Sequence, residues 1–176
     1  YLFRSNLLKE TAYQMQIHNR RQSLHAAAAA ALEEIYAEDL KPYYDQLAFH
    51  TEQGKLKDKA CHYLQKAGET AYENFQNNRA IDYFSRALAQ TSSDDPETQI
   101  SIFLQREPVY RLLGQREVQK SNLNQAKVQA EKANNLSFLS EIAVREIRLR
   151  AEMGEHEKAL AEIPQAIALA EKAQRL

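Results

Sequence analysis

Five histidines could serve as metal ligands or general bases: His18, His25, His50, His62 and His156. The helical zinc motif H-E-x-x-H has two histidines four residues apart with a glutamate between them, and that spacing places both rings on one face. No two histidines of the chain have this spacing. We therefore interpret all five as packing or surface residues, and we expect His25 to donate a hydrogen bond to the segment that begins the chain.

Cys61 is the sole cysteine, so the chain has neither an internal disulfide nor a cysteine-rich zinc site. A reactive thiol needs cations nearby to lower its pKa. Only Lys57, four residues earlier, shares its helical face. The sequence therefore favours a small, buried and unreactive side chain.

Arginines that could hold a phosphate lie in two clusters interspersed with glutamate, Arg20 with Arg21 and Arg145 with Arg148 and Arg150. This mixture predicts a solvated face rather than a nucleic-acid site. The G-x-x-x-x-G-K-[ST] loop that cradles nucleotide phosphates does not occur in the sequence. No nucleophile and base can be paired by spacing, so we predict no catalytic residue, no metal site and no cofactor.

The composition narrows the fold class. The 176 residues carry 23 basic and 24 acidic side chains, a net charge of −1 that excludes a dominant attraction to nucleic acid. Glycine and proline number 4 each, too few for the turns of an all-β fold, whereas 26 residues are alanine. No apolar run approaches the roughly 18 residues of a membrane span. We expect an all-α cytoplasmic protein that does not contact a membrane.

Breaks at glycine, proline and Asn/Asp residues divide the chain into about nine helices. We expect these over 3–16, 19–37, 40–53, 56–74, 78–90, 96–113, 116–133, 136–153 and 156–174. The clearest start is Asp95-Pro96-Glu97, because Asp can accept free N–H groups, Pro needs no donor and Glu suits the positive helix end. Gly114 and Gly154 are the clearest ends.

Two local features inside these helices carry structural predictions. Pro108 and Pro164 lack the N–H groups that would bond to the carbonyls of Leu104 and Leu160, so we expect a kink at each. The alanine run 26–31 keeps helical spacing with its apolar neighbours, and it predicts a close-packed seam centred on Ala27 and Ala28.

A small–large–small triplet recurs along the chain with spacings of four and three residues. Ala80-Phe84-Ala87 and Ala159-Ile163-Ala166 are two copies, and Gln119-Leu123-Ala126 is a third in which Gln replaces the first small residue. Residues at these spacings share one helical stripe, where Ala lets two helices approach. The copies begin 39 and 40 residues apart. A period near 40 predicts helical hairpins that stack and cover one another's apolar faces.

This triplet, on the second helix of a two-helix unit and with glycine before it, resembles the tetratricopeptide (TPR) repeat in a variety of about 40 residues. The resemblance covers about 39–176, although the usual Trp and Leu-Gly pair of the first helix are absent. It implies a TPR-like right-handed superhelix of stacked antiparallel hairpins. Armadillo or HEAT-like helix pairs of similar length are the alternative.

Segment 1–38 resembles the stretch that joins the ATPase core to the helical repeats in signal-transduction ATPases with numerous domains (STAND proteins), which are often linked to cyclases or kinases. The residues that carry the resemblance are Phe3-Arg4-Ser5-Asn6-Leu7-Leu8-Lys9-Glu10-Thr11-Ala12-Tyr13 and Arg20-Arg21-Gln22-Ser23-Leu24-His25. Ser5 stands where His is usual. Residues 109–117 also resemble the repeat region of these proteins. The resemblance implies a fragment of a larger signalling ATPase whose nucleotide site lies outside this chain.

The TPR resemblance also implies a partner-binding groove lined by the first helix of each hairpin. Carrying the repeat register onto this sequence places seven residues on that inner surface: Gln65, Glu69, Tyr72, Ser101, Arg111, Glu141 and Arg148. The set lacks the Lys, Asn and Arg residues that grip a peptide carboxylate in chaperone-binding members.

We therefore expect a non-catalytic module that binds a protein or peptide in the groove and signals to the ATPase core through segment 1–38. The alternative is a structural spacer or oligomerisation arm without a ligand of its own, which could self-associate. An enzyme on a helical scaffold has the least support.

Overall fold

The computed structural model describes residues 18–174, and these fold into eight α-helices without a β-strand. The helices are α1 (His18–Ile35), α2 (Tyr44–Gln53), α3 (Lys57–Glu73), α4 (Asn77–Gln90), α5 (Pro96–Leu112), α6 (Arg116–Lys132), α7 (Leu136–Glu152) and α8 (His156–Ala173). The helix expected over 3–16 lies outside the described residues. An all-α fold is thus confirmed.

The helix ends agree with the sequence to within two residues, except at the start of α2. There Lys41–Tyr43 form a short 3-10 helix with Pro42 in its first turn, and the α-helix begins only at Tyr44. The expected start at Asp95 is confirmed, because its side chain accepts a hydrogen bond from the N–H of Thr98 at 3.1 Å. Helices α5 and α8 continue through Pro108 and Pro164.

The chain divides into two compact units between Ala67 and Gly68, inside helix α3. In the first unit α1 packs on α2. Glu33 of α1 accepts hydrogen bonds from Lys59 Nζ at 2.6 Å and from the Tyr63 hydroxyl at 2.7 Å. Burial raises the pKa of the Glu33 carboxyl, but the bonds from Lys59 and Tyr63 outweigh this effect and leave that pKa lowered.

The alanine seam of α1 lies at a different position from the one expected. Ala27 is exposed and Ala28 only half-buried, whereas Ala29 is fully buried, so the prediction for Ala27 and Ala28 was wrong. The end of α2 approaches α1 closely, because a Cβ at Gly54 would lie 3.0 Å from the backbone nitrogen of Ala26. The close contact is therefore made by glycine and one turn of α1.

In the second unit each helix from α4 to α8 packs on the next along the chain. Phe103 of α5 contacts Asn122 of α6, and Glu107, one turn later, contacts Gln119, one turn earlier. Helices α5 and α6 are therefore antiparallel, as in a helical hairpin. A buried apolar cluster joins α5, α6 and α7: Ile100, Phe103, Leu104, Leu123, Ala126, Ala130, Ile142 and Leu149.

Five of the connections between the helices close in the same way. The second residue after the helix has a positive φ at Lys55 (58°), Phe75 (58°), Gly114 (68°), Asn134 (50°) and Gly154 (81°). The next residue then donates its N–H to the carbonyl five positions earlier, as Gln115 does to Tyr110 at 3.0 Å. This is the Schellman closure. The closure recurs at intervals of about 20 or 40 residues. The shorter interval is half of the period near 40 at which the triplets recur.

Candidate functional site

An open groove of about 530 Å³ crosses the second unit. Its walls come from α3, α5 and α7, which are the first helices of the three hairpins predicted from the triplets. The lining residues are Glu69, Tyr72 and Glu73 of α3, Phe84 of α4, Ser101, Leu104, Gln105 and Pro108 of α5, and Phe138, Glu141 and Arg145 of α7. This volume lies within the roughly 300–1,000 Å³ range of ligand sites.

Four of the seven residues placed on an inner surface by the sequence line this groove, namely Glu69, Tyr72, Ser101 and Glu141. The other three do not. Gln65 belongs to the first unit, where its side-chain nitrogen lies 3.4 Å from Cys61 Sγ. Arg111 faces Glu152 of α7 at 3.8 Å, and Arg148 is exposed on the same helix.

The wall between α5 and α7 is built around the proline of α5. Because Pro108 has no N–H, the carbonyl of Leu104 lacks its usual helical donor. Arg145 of α7 supplies a replacement, since its Nη1 donates to that carbonyl at 2.9 Å. The same nitrogen lies 2.8 Å from a carboxylate oxygen of Glu107, and Nη2 lies 2.6 Å from Glu141. One guanidinium thus satisfies a backbone acceptor and two carboxylates.

Glu107 is 2% exposed, so its charge needs partners inside the protein. Arg145 supplies one, and Gln119 of α6 supplies the other by donating its side-chain amide at 2.5 Å. Gln119 is the residue that replaces the leading Ala in the triplet Gln119-Leu123-Ala126. Its departure from the repeat pattern has a physical reason, because an alanine there would leave one carboxylate oxygen of Glu107 without its donor.

A second polar contact joins the same two helices through Arg106, the residue before Glu107 on α5, and Asn122, one turn after Gln119 on α6. Arg106 donates to the side-chain oxygen of Asn122 at 2.9 Å, and its guanidinium lies about 5.5 Å from the ring centres of Phe103 and Tyr110. Asn122 in turn donates to the Phe103 carbonyl at 2.7 Å. Burial lowers the pKa of Arg106, and the charge interaction with Tyr110 partly opposes this shift.

At the α3 wall of the groove, α3 and α4 meet through a glycine and an aromatic ring. Gly68 of α3 lies under the ring of Phe84, and a Cβ at this position would come within 2.7 to 3.0 Å of three ring atoms. Phe84 is the large residue of the first triplet and is 1% exposed. Gly68 was missed by the sequence reasoning, although an isolated glycine inside a helical pattern is itself a signal of close packing.

Helices α3 and α5 are also joined by a hydrogen bond at the groove surface. Gln105 donates its side-chain amide to Glu69 at 3.0 Å. Together with Arg145, this bond links all three walls of the groove through side chains. The lining is therefore held in place rather than formed by loose surface residues.

The arginine cluster on α7 is not the solvated face that the sequence predicted. Arg145 is paired with Glu107 and Glu141. Arg150 forms ion pairs with Glu155 at 3.2 Å and with Glu162 at 2.9 Å. Only Arg148 of the three is exposed. The available signal was Pro108, because a proline inside a helix frees a carbonyl that a buried donor can use.

Two residues singled out by the sequence lie in the first unit. Cys61 is buried, as expected. The segment expected to receive a hydrogen bond from His25 lies outside the described residues, whereas His25 Nδ1 lies 2.9 Å from His50 Nδ1. Burial lowers the pKa of both histidines, to which the charge of Arg21 adds at His25 and that of His25 adds at His50.

Within residues 18–174, no group of three or more His, Cys, Asp or Glu side chains is arranged to hold a metal ion. In the same part of the chain, no helix combines the length and the apolar character needed to cross a membrane. No family model, curated protein or solved structure matches the chain.

Proposed function

We propose that the chain is a non-catalytic binding module whose α3, α5 and α7 form a groove for a segment of another protein. The observation that carries this proposal is the convergence of four repeat-register residues, Glu69, Tyr72, Ser101 and Glu141, on one groove of about 530 Å³. Binding clefts combine an apolar surface with a few placed polar groups, and this groove has both.

The proposal includes a finer statement of the fold, a TPR-like right-handed superhelix of stacked hairpins. Its support is the antiparallel α5–α6 pair and the regular recurrence of the Schellman closure. In addition, the groove is lined by the first helices of the hairpins, and the second helices contribute only the Phe84 ring. Membership of a larger STAND-type signalling ATPase rests on the resemblance of segment 1–38 and residues 109–117.

A capture experiment with a groove variant tests the binding function. Ser101→Trp places a large ring in the groove, whereas Ser121→Trp adds the same ring at an exposed position of α6 that does not line it. Immobilised wild type and both variants are incubated with lysate, and bound proteins are quantified. We expect a partner retained by wild type and Ser121→Trp but lost by Ser101→Trp. Equal capture by all three would exclude the groove as the binding site.

One observation favours the alternative of an oligomerisation arm. Leu160, Ile163 and Ile167 share a face of α8, and they are exposed by 66%, 37% and 53%. Contiguous exposed apolar side chains mark association surfaces. Light scattering distinguishes the two functions: a dimer that dissociates in an Ile163→Glu/Ile167→Glu variant supports the arm, and a monomer at all concentrations opposes it.

A further inference from the structure

We propose that the occupant of the groove is a basic segment of a partner protein, in which lysine or arginine side chains flank an apolar anchor. This inference rests on the proposed binding function of the same groove. It adds the chemistry of the partner, which neither the repeat register nor the resemblance supplies.

The first observation is the charge of the groove lining. Three carboxylates line it, those of Glu69, Glu73 and Glu141, against the single cation of Arg145. Arg145 is paired with Glu141 and is shared with Glu107, whose side chain is 2% exposed and does not itself line the groove. Cationic side chains of a partner would therefore meet an excess of negative charge. Complementary charge speeds association and suppresses partners of the wrong sign.

The second observation is the apolar surface between these carboxylates. Tyr72, Leu104, Pro108 and Phe138 line the groove together with the edge of the Phe84 ring. Tyr72, Pro108 and Phe138 are each half-buried, so they already form part of a packed surface. An apolar side chain placed here leaves water, which is the usual source of binding energy at the centre of an interface.

These two features together fit a particular kind of side chain. Lysine and arginine have long aliphatic stems that can lie along apolar surface while the charged ends remain at the rim. The carboxylates of Glu73 on α3 and Glu141 on α7 belong to opposite walls of the groove. A segment with basic residues on both sides of an apolar residue would thus bring positive charge to both acidic walls. An acidic segment or a nucleic acid would instead face repulsion.

A library of random dodecapeptides displayed on phage tests the inference without knowledge of the natural partner. The library is selected on wild type, on Ser101→Trp and on Ser121→Trp, and the enriched sequences are counted. We expect sequences with a net positive charge and an apolar residue near the centre to be enriched by wild type and Ser121→Trp, but not by Ser101→Trp.

The outcomes separate the two proposals. Enrichment that depends on Ser101 but shows no excess of Lys or Arg overturns the basic partner and leaves the binding groove intact. Sequences enriched equally on Ser101→Trp, or no enrichment on wild type, count against both. Circular dichroism of each variant shows whether it is folded. If Ser101→Trp does not fold, the variant Glu73→Gln/Glu141→Gln tests the same groove.

Neutralising two of the lining carboxylates gives the quantitative test. The best enriched peptide is labelled with fluorescein, and its binding is compared for wild type, Glu73→Gln/Glu141→Gln, and the control Glu117→Gln/Glu157→Gln at exposed positions outside the groove. Exposed ion pairs contribute enough that each lost carboxylate should weaken binding about two- to fivefold. Salt should weaken wild-type binding as well. Equal affinities for all three proteins would contradict the inference.

Discussion

The α3–α4 pair and the α5–α6 pair carry the same triplet at the same helical spacing, yet they hold together by different means. In α3–α4 the large residue Phe84 covers a glycine, Gly68, and this contact depends on steric fit. In α5–α6 the first small residue is replaced by Gln119, which donates to the buried Glu107. One spacing therefore accommodates either a steric fit or a buried polar network.

The difference determines what each pair can tolerate. A steric fit is sensitive to added volume, because protein interiors are close-packed. A buried charge is sensitive to the loss of any partner, because the remaining group stays desolvated and unsatisfied. The polar pair also reaches a third helix, since Arg145 of α7 contacts both Glu107 and the Leu104 carbonyl. The network thus ties α7 to α5 at the groove, which the α3–α4 contact does not do.

Removing the guanidinium is expected to have the largest effect. Arg145→Met leaves Glu107 buried with Gln119 as its remaining donor, and breaking a buried pair in this way costs about 3–5 kcal/mol. Urea unfolding measures the change. Arg148→Met on the same helix is exposed and should change stability by less than about 0.5 kcal/mol.

A double variant shows whether the charge itself is responsible. Glu107→Gln removes the buried charge but keeps an acceptor for Gln119, so Glu107→Gln/Arg145→Met should recover part of the lost stability. A double variant as unstable as Arg145→Met would mean that the unpaired charge does not explain the loss, which would then come from the packing of the arginine side chain or from its bond to the Leu104 carbonyl.

The steric pair responds to a smaller change. Gly68→Ala should gain roughly 0.8–1 kcal/mol of helix propensity, but the added Cβ would overlap the Phe84 ring, and overpacking costs about 1–3 kcal/mol. We expect a net loss of about 1 kcal/mol in urea unfolding. In a Phe84→Leu background the overlap disappears, so the same substitution should become neutral or stabilising. A loss of equal size in both backgrounds would refute the contact.

The sequence predicted the helices well because their ends are marked locally. Asp95-Pro96, Gly114 and Gly154 each start or stop a helix through their own chemistry. Residues that meet across helices are a different matter. Glu107 and Arg145 are 38 positions apart, and nothing local indicates that they pair. Gln119 was visible as a departure from the triplet, but its role required knowledge of which side chain it faces.

The groove was only partly predictable for the same reason. The repeat register named Tyr72 and Ser101, which do line the groove and whose positions follow from helical phase alone. It also named Gln65, which lies in the first unit, and Arg111, which faces Glu152, and neither residue lines this groove. Phase gives the side of a helix that a residue occupies, whereas the extent of a groove depends on where neighbouring helices end and which side chains pair.

The connections inside the two pairs differ as well, and this difference predicts a smaller effect. Phe75 closes α3–α4 at φ 58° and Gly114 closes α5–α6 at φ 68°. A left-handed conformation costs a non-glycine residue about 1–2 kcal/mol. A Cβ at Gly114 would meet no atom within 4 Å, so Gly114→Ala should lose only this strain, about 1 kcal/mol. Phe75, which is 82% exposed, should tolerate glycine with a gain of up to about 1 kcal/mol. Urea midpoints that shift in the same direction for both variants would contradict this explanation.

The response to acid pH distinguishes these two pairs from the first unit, and we expect its effect on stability to be the smallest. Along α3 to α7 the described structure has no buried histidine, whereas His25 and His50 of the first unit share a 2.9 Å contact between their Nδ1 atoms. One ring must donate to the other, so the contact requires at least one neutral ring. Burial lowers the pKa of both in the folded state, with contributions from Arg21 at His25 and from His25 at His50. The unfolded chain, with a histidine pKa of about 6.5, therefore takes up protons first as pH falls. The stabilising contribution of His25 and His50 is therefore present above that pH, and it is lost as the pH falls through about 6.5 toward the lower pKa values of the folded state.

Urea unfolding measured between pH 7.5 and 5.5 should show this loss of stability in wild type and in the exposed control His156→Gln, but a smaller loss in His50→Gln. An equal slope in all three would mean that the contact does not govern the titration.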